Sequence, residues 1–215
     1  STFNEIFFSP GAGSFTIGGN AFALKTKIVN NDDSEQIINN NLNFPSPEVE
    51  LNAESGGLTL NGTIANGGFR VTSSGANTLT LGGVVSGTGD ILMTGSGTLV
   101  LNGVNTFNPA NGNAAYLVNG TTRINNNSSL GVGIVYLGEL SGSNPATLQI
   151  GSSGVSLANN LVVRTGSSGT MTIGNTSSGT ATFSGGITLE QNISLANNSG
   201  GTLNLSGAMS LNGSQ

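Results

Sequence analysis

The stretch Gly87–Phe107, GTGDILMTGSGTLVLNGVNTF, decides how this chain is read. Within it, Thr98-Leu99-Val100-Leu101 alternates outward and inward positions as a half-buried strand does. Asn102-Gly103 then turns the chain and Val104 starts another extended segment. Thr78-Leu79-Thr80-Leu81-Gly82-Gly83-Val84 matches Thr98 to Val104 position for position, one period earlier. Leu58-Thr59-Leu60-Asn61-Gly62 repeats the phrase Leu79-Thr80-Leu81-Gly82-Gly83 one period before that. Repetition at a period of about twenty residues is the signature of a solenoid.

Three short strands make one rung: Leu58-Leu60, Ile64 and Phe69-Val71, then Leu79-Leu81, Val84-Val85 and Ile91-Met93. A strand of three to five residues cannot bury its apolar face alone. Stacking each rung on the last buries an inner column and pairs the backbone above and below. The fold expected is all-β, a parallel β-helix whose rungs take about 20 residues. About ten rungs at roughly 4.8 Å would make a rod about 50 Å long. Within the rung at 98–104, Leu99, Leu101 and Val104 are expected to point inward and Thr98 and Val100 outward, so a charge at Leu99 or Leu101 should damage stacking. Turns at Asn61-Gly62, Gly82-Gly83 and Asn102-Gly103 are expected to supply positive φ.

The domain organisation expected is one continuous solenoid, with residues 1–55 as irregular, acidic first rungs and 56–215 as the regular β-helix. Residues 108 to 145 break the period, and Asn108-Pro109-Ala110-Asn111-Gly112-Asn113 reads as a loop, inserted near 108–115. Ser156-Leu157-Ala158-Asn159-Asn160 recurs as Ser194-Leu195-Ala196-Asn197-Asn198, suggesting asparagines stacked at equivalent turns. The closing Asn212-Gly213-Ser214-Gln215 stops inside a repeat-like phrase, so the chain is expected to be an internal piece of a longer one.

Composition narrows the function classes. Only 7% of the residues are charged, yet no apolar run approaches the roughly twenty residues of a membrane-spanning helix. The polarity comes from Gly, Ser, Thr and Asn. The net charge is −5 with five basic residues in all, which argues against nucleic acid and anionic membranes as partners. Absence of Cys and His removes thiolate metal sites, disulfides and the commonest proton shuttle.

Gly87 to Phe107 resembles the passenger-associated strand repeat of bacterial autotransporters, carried here by Gly87, Gly89, Ile91, Gly95, Gly97, Thr98, Leu99, Leu101, Gly103, Asn105 and Phe107. The unit departs from the pattern at Asn108-Pro109-Ala110-Asn111, and one good copy with several degenerate ones covers about half the chain. The resemblance implies a right-handed β-helix in an exported bacterial protein, extracellular or on the outer cell surface. It carries no activity, because such passengers include adhesins, stalks and enzymes.

Candidate sites are few. Seven of the ten carboxylates precede residue 55, and Asp32-Asp33-Ser34-Glu35 is the densest group, expected to be a solvated loop. Glu48-Val49-Glu50 alternates so that both acids face outward, the arrangement a carbohydrate-active enzyme would need, although no sugar platform but Phe44 lies near it in sequence. Gly87-Thr88-Gly89-Asp90 lacks the second Asp of calcium-binding nonapeptide repeats, so Asp90→Asn is expected to be nearly silent. Phe107, Tyr116 and Tyr136 flank the inserted loop; filling the core or capping a corner is the expectation, a sticky patch for a glycan or protein the alternative.

The function expected is a non-enzymatic extracellular scaffold, a β-helical passenger segment of a surface adhesin or stalk, with no catalytic, cofactor or metal residues. Its partners would be host or neighbouring-cell glycans or proteins. One alternative is a self-assembling filament subunit, because neither Ser1–Phe8 nor Leu211–Gln215 resembles a cap and rung edges could pair. The other is a carbohydrate-active β-helix enzyme using Asp33, Glu48 and Glu50.

Overall fold

Short strands that bury only alternate residues must find their partners in neighbouring coils, and here they do. The computed structural model describes residues 1–212, so the closing Gly213-Ser214-Gln215 lies outside the described residues. The chain is all-β and winds into a β-solenoid of about ten coils of about 22 residues. Every strand pairing among the described residues is parallel. The first wall is a nine-stranded sheet running from Thr16–Ile17 to Ile193–Asn197. The second holds short strands such as Ile64–Ala65, Val85–Ser86 and Thr180–Phe183. The third runs from Glu48–Ala53 through Arg70–Ser74, Ile91–Met93 and Asn113–Leu117 to Met209–Leu211. In the first coil the long strand Phe22–Asn30 serves both the second and third walls, pairing Phe22 with Leu42 and Lys27 with Glu50. Thr2–Phe8 lies against its other edge.

Each wall sends one column inward. On the first, Leu58, Leu79, Leu99, Thr122, Leu148 and Ile173 stand in register, none more than 1% exposed. On the third, Val49, Val71, Ile91, Ala115, Val135, Leu161 and Ile187 do the same. The columns merge into one core reaching from Phe8 to Ile187. Each fully buried aliphatic side chain contributes about 1.5–3 kcal/mol, and in a solenoid that gain comes from contact with the neighbouring coils.

Coil length is not constant. Thr78 pairs with Thr98, Thr98 with Thr121, Thr121 with Thr147 and Thr147 with Thr172, so the coil lengthens over the first three of these steps and barely shortens at the fourth. Only the shortest coils read as repeats in sequence. The extra residues sit in corners, at Asn108–Gly112 and Gly138–Pro145, and leave the strand register of the first wall intact.

Three expectations are corrected. Gly62, Gly83 and Gly103 do not have positive φ. They are required for space instead: a β-carbon at Gly62 would run into the Asn40 carbonyl, at Gly83 into that of Gly62, and at Gly103 into that of Gly83. Val104 is 61% exposed, because alternation continues unbroken through the corner. Leu101, Gly103, Asn105 and Phe107 face in, and the buried Asn105 accepts from Val85 N–H at 2.8 Å and donates to the Ser129 carbonyl at 2.6 Å. The two Ser-Leu-Ala-Asn-Asn phrases are not equivalent, since Ser156–Leu157 belongs to the second wall and Ile193–Asn197 to the first. Asparagine pairs do bridge coils elsewhere, Asn61 to Asn39 at 2.9 Å and Asn125 to Asn102 at 2.6 Å.

Candidate functional site

The outer surface of the third wall gathers side chains from coils far apart in sequence. Parallel pairing sets Glu48 beside Arg70, and the next coil places Asp90 above. Arg70 Nε and one terminal nitrogen donate to the two Asp90 oxygens at 2.7 and 2.8 Å, a bidentate pair whose carboxylate is almost fully buried. This bond, then the charge of Asp90, raises the Arg70 guanidinium above its ordinary pKa despite burial. Glu48 accepts from the Thr72 hydroxyl and Glu50 from the Ser74 hydroxyl, each at 2.6 Å.

Higher on the same wall Tyr116 and Tyr136 are register partners, and their rings stack 5.3 Å apart at 8°. The Arg164 guanidinium lies 4.2 Å from the Tyr136 centroid and 5.0 Å from that of Tyr116, so it covers both rings. Arg70 approaches Tyr116 from the other coils, at 5.3 Å. Burial lowers the Arg164 pKa, with the two rings and Glu190 opposing the shift. Asn113 donates to the Tyr116 hydroxyl at 2.9 Å, tying the inserted loop to the aromatic stack.

Beside the Arg70–Asp90 pair the corner of the second and third walls opens into a cleft of about 420 Å³. It is lined by Pro47 and Glu48, by Gly68, Thr88 and Gly89, and by Pro109, Ala110 and Asn111 of the inserted loop. Gly89 cannot carry a side chain, because its β-carbon would coincide with the Phe69 carbonyl. Asn66 holds the corner from inside, donating to the Gly89 carbonyl and accepting from Gly89 N–H, both at 3.1 Å. Arg70 and Asp90 complete the rim with charge already paired. The cleft offers a guanidinium edge, carboxylate and backbone acceptors, and no enclosed apolar pocket, which suits a hydroxyl-rich ligand lying across the coils.

The sequence candidates are dispersed by the fold. Glu48 and Glu50 do face outward on either side of the buried Val49. Glu48 borders the cleft, whereas Glu50 and Asp33 do not line it. The acidic group at 32–35 divides: Asp33 and Glu35 lie toward solvent, but Asp32 is buried, contrary to a wholly solvated loop. Its carboxylate accepts from Ser34 N–H at 2.9 Å and Gly13 N–H at 3.2 Å, pinning the first coil to the corner. Phe107 fills the core at 0% exposure while the two tyrosines lie outside it, so the three aromatics do not act together. The turn at 87–90 carries structural glycines, and Asp90 serves the ion pair. Arg70, Arg164 and the loop wall at Pro109–Asn111 do not stand out in the sequence as site residues. A usable signal is present, because Arg70 and Asp90, like Tyr116 and Tyr136, stand one period apart.

Among the described residues no three or more His, Cys, Asp and Glu side chains gather as a metal site, and no helix is long and apolar enough to cross a membrane. No protein-family model, no curated protein and no solved structure shows a significant match to this chain.

Proposed function

We propose that this chain is a non-enzymatic extracellular scaffold, a β-helical passenger segment of a bacterial surface adhesin or stalk, and that its third wall is the contact surface, with a cell-surface glycan as partner. The observation that carries the reading is the cleft at Gly68 and Gly89, placed beside the Tyr116–Tyr136–Arg164 stack by an insertion that interrupts the repeat. Its charged groups are committed to positions rather than to proton transfer: Asp90 to Arg70, and Glu48 to Thr72. Fixed, paired donors and acceptors on a rigid wall favour recognition without reorganisation.

Incubating the purified chain with arrayed neutral and acidic oligosaccharides tests this. Retention that is lost in Ala110→Arg, a substitution in the exposed loop wall of the cleft, with no change in the oligosaccharides recovered, is the expected result. Release of new reducing or unsaturated ends, abolished by Glu48→Gln, Glu50→Gln and Asp33→Asn together, would instead establish the carbohydrate-active reading.

A second reading, a self-assembling subunit of an extracellular filament, draws on the ends of the stack. Leu195, Met209 and Leu211 in the last described coil are 59%, 51% and 65% exposed, although Ile173 and Ile187, the register partners of Leu195 and Met209 one coil below, are buried. At the other end Phe3, Phe7 and Phe15 are open to solvent. Further coils of the same chain or a second copy would cover such columns. Negative-stain images of rods that lengthen with concentration would favour the copy.

A further inference from the structure

The outer face of the first wall differs in kind from the third. Its nine strands contain no aromatic residue and a single charged one, Arg123. Thr78, Thr98, Thr121, Thr147, Thr172 and Ser194 occupy one outward column, paired directly coil to coil. The coils between them differ in length, yet no register shift interrupts any of these pairings. The column therefore repeats at the inter-strand distance, about 4.8 Å, over about 24 Å.

The hydroxyls of this row are free. Among the described residues none of the six has a hydrogen-bond partner in the protein, whereas Thr59 donates to Glu35 and Thr72 to Glu48, each at 2.6 Å. A threonine row on a parallel sheet holds each χ1 angle in few rotamers, so hydroxyls and methyls recur in the same orientation. Arg123 is partly buried in the column beside the row. Its stem lies against the position a β-carbon at Gly151 would take, and with the Gln149 amide assigned so that its oxygen faces the guanidinium, the two meet at 3.3 Å along the neighbouring column. Glycans are recognised by aromatic platforms and charged forks, and this wall has neither.

We propose that the first wall binds ice, with the threonine row as the contact. A rigid row of hydroxyls at this spacing nearly matches the repeat of equivalent water molecules along the basal rows of hexagonal ice. The hydroxyls take lattice positions, and the methyls between them order the water they cannot bond. A row without charge suits an uncharged solid, because an ammonium or carboxylate pressed against it would have to shed its own hydration.

The test is grain growth in a polycrystalline ice film, with single-crystal habit as a second readout. The wild-type chain is expected to arrest coarsening and to facet crystals. Thr121→Lys, at the centre of the row, should raise the concentration needed by about tenfold or more, equivalent to about 1.4 kcal/mol. Thr188→Lys, on the third wall, should leave it unchanged. Both variants are checked for the wild-type circular dichroism spectrum, and Thr98→Lys stands in if Thr121→Lys fails to fold. Disc-shaped crystals and coarsening equal to buffer with the wild-type chain would overturn the proposal. So would equal loss in both lysine variants, or retention on crystalline cellulose with ice growth unaffected.

Discussion

Replacing Asp90 by Asn separates a turn residue from a structural ion pair. The carboxylate is 9% exposed and receives two charge-assisted hydrogen bonds from a guanidinium that is 37% exposed. The substituted amide would keep one acceptor oxygen and lose the charge, leaving the Arg70 cation partly buried against Tyr116. Breaking a fully buried pair costs about 3–5 kcal/mol. Exposed pairs contribute about 0–1 kcal/mol. With Arg70 able to rehydrate at its open edge, the loss falls between these limits, at about 2 kcal/mol. Urea unfolding of the wild type, Asp90→Asn, Arg70→Met and the double variant closes a thermodynamic cycle. Its coupling energy should be about 1–2 kcal/mol, since the two groups touch directly. A coupling below about 0.5 kcal/mol would refute the reasoning and return Asp90 to the silent role its place among turn glycines suggests.

Two further outcomes follow from buried polar groups. Thr122 occupies the inward column between Leu99 and Leu148, and its hydroxyl has no hydrogen-bond partner among the described residues. Thr122→Val keeps the shape and removes the orphaned group, and should stabilise the chain by about 1–2 kcal/mol in the same urea titration; a loss of stability would show that the hydroxyl is satisfied. Asp32 is held below its ordinary pKa of 3.8, first by the Ser34 N–H and then by the Ser34 side chain, with the Gly13 N–H adding to the shift. A lowered folded-state value means that the stabilisation is present above pH 3.8 and fades as pH falls through the folded pKa. The stability difference between wild type and Asp32→Asn should therefore be constant at neutral pH and disappear in acid. A difference that persists or grows at the lowest pH would contradict it.

Much of the solenoid is legible in the sequence because its physics is local in period. Leu79 and Leu99, or Ile91 and Val71, announce themselves by alternation within a strand and recurrence one coil later. What the period hides is the corner. Glycine tolerates positive φ and also permits close approach, and sequence does not distinguish these; Gly62, Gly83 and Gly103 are of the second kind. Placing Val104 inward assumes that Asn102-Gly103 resets the alternation, whereas Gly103 simply takes an inward place. The identical Ser-Leu-Ala-Asn-Asn phrases fall on different walls because the intervening coils have outgrown the original period, so identity in words ceases to mean identity in position.

That lengthening also explains why the cleft is hard to foresee. Five residues at Asn108–Gly112 leave the coil without altering the pairing of Thr98 with Thr121, so one corner changes while the first wall remains a lattice. A strictly repeating solenoid would present the same side chain at every coil, and could offer periodic surfaces but no concave site. Here the two kinds of surface lie on separate walls. The unbroken register keeps the first wall periodic, the feature on which the proposed ice contact rests. On the third wall the projecting loop meets Arg70, Asp90 and the stacked tyrosines, converting a periodic surface into a local one. Under this division Ala110→Arg should abolish glycan retention without affecting ice growth, and Thr121→Lys should do the reverse. Loss of both activities in either variant would mean that the walls do not act independently.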